Sequence, residues 1–285
     1  MEKIGLITDD ICSLPQELIN KYKIELVKTK LFFPEWERCP QKNLYQVMKE
    51  TEAYPKTSAP SLADFLRAYK KQEERFEKII VLTLSSQLSS ATYNAAYQAK
   101  QLMPDPSKFE IFDSGQVVAP QGLMVVKTAE MIKAGKAVSE ILKCLENLKG
   151  RAKLFASLGT IFWVEKSGRI TAWQAKAFNF LKKIGIQPII GTKNGRVGLT
   201  GFNFWTRDTL KAIFNQIKYF KNKYRKIKVG INYTDNVNLA YKLKEKIQNE
   251  LKTEVTFTSI APPIVGANSG PGTLFAGGIP DDTYI

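Results

Sequence analysis

At 285 residues and 44% hydrophobic composition, the chain is long enough for one large domain or two ordinary ones with full cores. It contains no histidine, which excludes Ser-His-Asp and Cys-His triads and the histidine-based zinc motifs. Its net charge of +15 suits nucleic acid, anionic lipid headgroups or simply a solvated lysine-rich face.

KIGLITDD (3–10) reads as a short buried strand ending in two aspartates, followed by the helix start SLPQELINKY, with Ser13 and Gln16 spaced as a capping box. IELVKTKLFF (24–33) reads as a second strand. KTSAPSLADFLRAYKK (56–71) reads as a polar loop entering an amphipathic helix capped by Ser61. The apolar run IIVLTL (79–84) is a third strand. It opens into Ser85, Ser86, Ser89, Ser90 and Thr92, with a helix from about Ser89 to Leu102. FEIFDS (109–114) is a fourth strand. Two helical segments then run from Gly122 to Leu148, punctuated by Gly135 and closed by Gly150.

Beyond residue 150 the order changes. KLFASLG (153–159) reads as a strand, FWVEKSGRI as a loop and TAWQAKAFNFLKK as a helix. IQPIIGTKNGRVGLTGF predicts a hairpin turning at Asn194-Gly195. A helix at about 206–222, the strand KIKVGINY, a helix at about 236–250 and the strand EVTFTSIA complete the elements, and Val255–Pro280 reads as buried backbone. The fold class expected is α/β: residues 1–150 form an N-terminal domain on a parallel sheet, and 151–285 a C-terminal domain on a mixed sheet.

In parallel sheets ligands bind at the carboxyl ends of the strands, where Asp9, Asp10, Ser85, Ser86, Asp113 and Ser114 all fall. Exposed N–H groups, a helix dipole and hydroxyls at 85–92 suit an anionic group. Asp9, Asp10 and Asp113 could instead form a divalent-metal cluster for a hydrolase or transferase. The lysines of 204–252 leave open a nucleic-acid-binding protein, although they lie on ordinary amphipathic helices without a reading motif. Arg169 reads either as solvated surface or as a cleft residue pairing with a carboxylate or phosphate. No P-loop or G-x-G-x-x-G is present, and Gly270-Pro271-Gly272 reads as a tight turn or a close approach to a ligand. Cys12, Cys39 and Cys144 read as single buried thiols in a reducing compartment. The start has no apolar signal region, and no run reaches the roughly 18 apolar residues of a membrane span, so a cytoplasmic location is expected.

Taken together, the segments resemble the DegV family of bacterial fatty-acid-binding proteins. ITDDICSLP is similar to its opening T-D-S-x-x-D-L-P, KTSAPS to T-S-Q-P-S, and LTLSSQLSSATYNAA to S-S-x-L-S-G-T-Y-x-S-A. FDSGQVVAPQGLMV resembles its second D-S segment, FWVEKSGRI its K-x-G-R-I turn, QPIIGTKNGRV its K-P-I strand and hairpin, and NSGPGTLFAGG its H-T-G-P-G. The resemblance implies two α/β domains with a long-chain fatty acid in the cleft between them. Its carboxylate would be held by Thr57, Ser58, Ser89 and Arg169, with Asn268 nearby. Asn268 stands where the family carries histidine, and it can hydrogen-bond a headgroup without carrying charge. Ser90 replaces a usual glycine and Asp10 a usual serine.

The resemblance further implies a lipid-binding protein with no catalytic residues, metal or cofactor of its own, and no nucleic-acid partner. It would present the carboxylate to a separate ATP-dependent kinase subunit, whose acyl phosphate feeds phospholipid synthesis. A transient membrane-surface contact is a further expectation.

Overall fold

The computed structural model describes residues 3–168, 170–206 and 208–281. The first half runs β1 (Ile4–Asp9), α1 (Gln16–Tyr22), β2 (Glu25–Val27), β3 (Lys30–Phe32), α2 (Pro34–Glu37), α3 (Leu44–Thr51), β4 (Lys56–Ser58), α4 (Leu62–Glu73), β5 (Lys78–Thr83), α5 (Ser90–Gln101), β6 (Phe109–Asp113), α6 (Val118–Lys133) and α7 (Val138–Arg151). The second runs β7 (Lys153–Ser157), α8 (Phe162–Lys166), α9 (Ala172–Lys183), β8 (Gln187–Lys193), β9 (Arg196–Asn203), α10 (Thr209–Tyr224), β10 (Ile227–Tyr233), α11 (Val237–Leu251), β11 (Val255–Ile260), α12 (Pro263–Ser269) and β12 (Leu274–Pro280).

Strands β2-β1-β5-β6 form a parallel sheet, and β11-β10-β12-β7-β8-β9 a mixed one in which only β10 and β11 run parallel. β3 and β4 form a separate antiparallel pair. The architecture is α/β with a parallel N-terminal and a mixed C-terminal sheet, as the element pattern predicts. The run Ile79–Leu82 of β5 is continuously apolar because both faces are covered. Ile79 and Val81 pack with Phe65, Tyr69 and Phe109 on one side, and Ile80 and Leu82 with Leu6, Leu123 and Leu145 on the other.

α6 is the middle layer between the two main sheets, and eleven of its sixteen residues are buried. A Cβ on Gly122 would lie 2.5 Å from Cys12 O, on the parallel-sheet side, and 2.9 Å from the Phe257 ring on β11. Leu123 and Met124 share one core with Phe257 and Ile279. The sequence reading starts this helix at Gly122, but it begins at Val118. Pro120 is tolerated there because N–H groups of the first turn have no intrahelical partner.

Other boundaries move for identifiable reasons. Ser13 caps nothing: its backbone is left-handed (φ 53°), its hydroxyl donates to Ile11 O at 2.9 Å, and α1 starts after Pro15. The strand expected over 24–33 splits at Lys28-Thr29, where Thr29 N–H donates to Asp10 at 3.0 Å. β2 joins the parallel sheet and β3 pairs with β4. Gly150 lies inside α7, which runs on to Arg151. Thr57 and Ser58 belong to β4 rather than to a loop, whereas Ser61 does cap α4, accepting from Asp64 N–H.

The largest omission is β12. LFAGGIP reads as poor strand sequence, yet it lies between β10 and β7. Its glycines are there for space: a Cβ on Gly277 would sit 2.4 Å from Pro120 N, and one on Gly278 2.7 Å from the Phe220 ring.

Candidate functional site

The loop after β5 is pinned by the two carboxylates expected at strand ends. Leu84 N–H donates to Asp9 Oδ2 at 2.7 Å, and Ser86 donates to Asp113 through its N–H (3.1 Å) and its hydroxyl (2.6 Å). Gln121 Nε2 donates to Asp9 Oδ1 at 3.1 Å. Burial pushes the Asp9 carboxyl up to about 7 and raises Asp10 as well. The metal-cluster reading is therefore corrected. Asp9 and Asp113 are taken up by N–H groups of the loop after β5 and Asp10 by Thr29 N–H, and no metal-holding group of His, Cys, Asp or Glu occurs among the described residues.

Of the hydroxyls, Ser85 donates to Gly195 O at 2.6 Å, docking the tip of the β8–β9 hairpin onto this loop. That tip is the expected Asn194-Gly195 turn, with φ of 51° and 76°. Ser89 is the N-cap of α5. Its Oγ lies 2.9 Å from the Thr92 hydroxyl and accepts from Thr92 N–H. Ser90 opens the helix and is exposed.

A second group of elements carries the other candidates. Thr57, half-buried, is paired with Leu31, and Ser58, exposed, with Lys30. β3 touches α12, which bears Asn268. Tyr54, just ahead of β4, donates its hydroxyl to Asn268 Oδ1 at 2.6 Å. Beyond α12, Gly270 (φ 80°) lies against the Trp163 ring, and Gly272 N–H donates to Asp235 at 2.6 Å. A Cβ on Gly159 would lie 2.5 Å from Pro271 O, so the Gly-Pro-Gly segment is a close backbone crossing.

Between these groups runs an apolar seam. Ile11, Leu84, Val117 and Val118 enter from the carboxyl ends of the parallel sheet. Leu154, Ala156 and Phe275 enter from the mixed sheet, while Ala261, Ile264 and Val265 come from the segment leading into α12 and from α12 itself. One flank of the seam is thus the helix carrying Asn268, which touches the strand pair carrying Thr57 and Ser58. Another is the loop running from Leu84 to Ser89. Arg169 lies outside the described residues.

Sequence reasoning missed Tyr54, Ile264 and Val265. The signal available was Pro262-Pro263, which favours a helix start. Two open clefts of about 430 and 450 Å³, beside the hairpin tip and the Asp235–Gly272 turn, are lined mainly by polar side chains and backbone.

The thiols separate into two buried groups, Cys12 and Cys144, and Cys39, which is only half-buried and so corrects the expectation of three buried thiols. Burial holds the Cys12 thiol protonated. Exposed aromatics gather where the end of β9 meets the end of α9. Thr206 N–H donates to Gly185 O, placing Trp205 (92% exposed) and Phe204 next to Ile184, and the Phe202 and Phe204 rings are 6.4 Å apart. No helix among the described residues is long and apolar enough to cross a membrane.

A DegV domain-containing protein of Staphylococcus aureus is 25% identical over 278 residues, covering 96% of this chain and 98% of its own. Two solved structures share the fold. That of a Thermus thermophilus protein, described by the fatty-acid binding of a DegV family protein, superposes with a TM-score of 0.82 at 22% identity over 98% of this chain and 99% of that one. That of a stearic-acid-binding protein from Eubacterium ventriosum superposes with a TM-score of 0.81 at 20% identity over 98% of both chains. The family model described as "Uncharacterised protein, DegV family" matches residues 3–278, so the chain belongs to the DegV family.

Proposed function

We propose that this protein binds a long-chain fatty acid in the apolar seam, between a domain of residues 1–150 and one of 151–285. The observation that carries the reading is the seam itself, an apolar contact between the sheets flanked by segments bearing hydroxyls and an amide. The relatives described as binding fatty acid or stearic acid have the same fold. Transfer of an acyl chain from water gains roughly 0.8 kcal/mol per methylene, so sixteen carbons supply a gross term on the order of 12 kcal/mol before binding costs. Thr57, Ser58, Ser89, Arg169 and Asn268 hold the carboxylate. Extraction of the purified protein with organic solvent, followed by mass spectrometry, should yield stoichiometric fatty acid. Absence of an acyl chain even after incubation with stearic acid would sink the reading.

Ser89→Ala should weaken retention of stearic acid about tenfold, the worth of one hydrogen bond to a charged acceptor. It also removes the α5 cap, at a cost of about 1 kcal/mol of stability, so retention is to be compared well below the melting temperature.

The protein presents the acyl carboxylate to a separate ATP-binding kinase subunit in the cytoplasm. A hydroxyl and amide set can hold a carboxylate without attacking it, and the sequence has no nucleotide-binding loop. Loading occurs at the membrane surface through the aromatic corner. Trp205 is 92% exposed with a left-handed backbone (φ 60°), an unfavourable conformation for a bulky residue, and lysines stand nearby on α9. Trp205→Ser should reduce co-sedimentation with anionic phospholipid vesicles several-fold, and added salt should reduce it further. Equal sedimentation of variant and parent would remove the corner from the reading.

A further inference from the structure

β9 is the outer strand of the mixed sheet, so one of its edges faces no other strand. No other described segment of backbone bonds to residues 196–199. Such edges are commonly guarded by lysine, proline or an inward-pointing charge. Val197–Asn203 carries neither a charge nor a proline, and Val197 and Leu199 are 40% and 52% exposed.

The hairpin turn fixes which groups this edge offers. Asn194-Gly195 is a two-residue turn, in which the flanking pair, Lys193 and Arg196, exchanges hydrogen bonds. Alternation along the ladder then turns the N–H and C=O of Val197 and Leu199 outward. Beyond Leu199 the register shifts, Thr200 has no opposite residue on β8, and this bulge ends the regular edge.

The charge beside the edge has one sign. Lys193 and Arg196 are exposed and directly opposite one another, an arrangement of like charges that costs stability. Among the described residues neither has an ion-pair partner. The cleft of about 430 Å³ here is lined by both cations, Gln87, Asn194 and the start of β9, and by no carboxylate. Gly198 shares a face with Arg196, and a Cβ on it would meet nothing within 4 Å, so that face has room.

We propose that the β9 edge docks an extended acidic segment of a partner protein, which adds as a short strand on Val197 and Leu199 with its carboxylates beside Lys193 and Arg196. Main-chain bonds supply the affinity of such strand addition, and alternate side chains supply the specificity. The alternation sets acidic residues of the segment on the Gly198 face and apolar ones beside Val197 and Leu199. A second copy is disfavoured, because each copy would bring Lys193 and Arg196 to the same groove on a chain of net charge +15. The site is distinct from the apolar seam and does not depend on the fatty-acid reading.

The test follows fluorescein-labelled Val-Glu-Val-Glu-Val-Glu and its lysine counterpart by fluorescence anisotropy. The acidic peptide should bind about tenfold more tightly than the lysine one, and added salt should weaken it. Lys193→Glu combined with Arg196→Glu should reverse the preference. Leu199→Pro removes one outward N–H and spares the bonds to β8, so it should weaken the acidic peptide about tenfold, with a thermal melt to verify the fold. An acidic peptide N-methylated at alternate residues keeps its charge but cannot complete the ladder, and it should lose about as much on the parent protein. No binding of the acidic peptide, equal binding of its lysine counterpart, or equal binding of its N-methylated form would overturn the proposal. A dimer of the parent protein in sedimentation that Leu199→Pro abolishes would put a second copy on the edge and overturn it as well.

Discussion

At pH 8 an Asp9→Asn variant should be more stable than the parent protein by about 2–4 kcal/mol, and the gap should close as the pH falls to 4. Asp9 is fully buried, and burial raises its carboxyl from 3.8 to about 7 against the opposing effect of bonds from Leu84 N–H and Gln121. Between those values the folded protein holds the proton and the unfolded chain does not. Stability from this group is therefore complete below 3.8 and lost as the pH rises through about 7, at roughly 1.4 kcal/mol per pH unit.

Asparagine has the shape of the protonated acid. Its oxygen can accept from Leu84 N–H. Its amino group can meet Gln121 Oε1, a buried atom with no hydrogen-bond partner, once that amide turns over. Asp64, held low by bonds from Ser61 and Lys30, loses stabilisation in acid in both proteins, so it cancels in the difference. Denaturant unfolding across the pH range checks the sign. A constant offset between the two proteins, or a more stable parent at pH 8, would contradict the account.

The second large effect is on the ligand. Ile264→Glu places a carboxylate on the α12 face that packs against the seam, where it opposes both an acyl chain and a negative headgroup. Retention of stearic acid should fall by on the order of a hundredfold, equivalent to about 3 kcal/mol. Ile264 is only partly buried, so the fold should survive, and a thermal melt verifies that. Ile260→Glu, at a site 60% exposed at the end of β11, is the control and should retain lipid like the parent. If Ile264→Glu retains lipid equally well, the acyl chain does not occupy this seam.

Much of the scaffold was legible locally. The continuous apolar run of β5, the capping of α4 by Ser61, the Asn194-Gly195 turn and the start of α5 beside Ser89 each depend on residues within a few positions of one another. The same holds for the ordered motifs that resemble the DegV family, the family whose model matches residues 3–278. Other features had no local signal. The segment of β12 reads only as buried backbone, and the need for Gly277 and Gly278 appears once Pro120 and Phe220 are seen pressed against them. Asp9, Asp10 and Asp113 leave a metal cluster open as an alternative until the segments they hold are seen.

Composition, periodicity, caps and turns thus determined the fold class and the order of most elements, and the resemblance to the DegV family supplied the candidate anchors. The tertiary structure alone decided how α6 is wedged between the sheets, which carboxylates tie loops together, and that Tyr54 meets Asn268 across 214 residues of chain. The physical reason is range. Helix, cap and turn preferences act over a few residues, whereas close glycine contacts, buried charge and paired polar groups come into being only when distant segments pack.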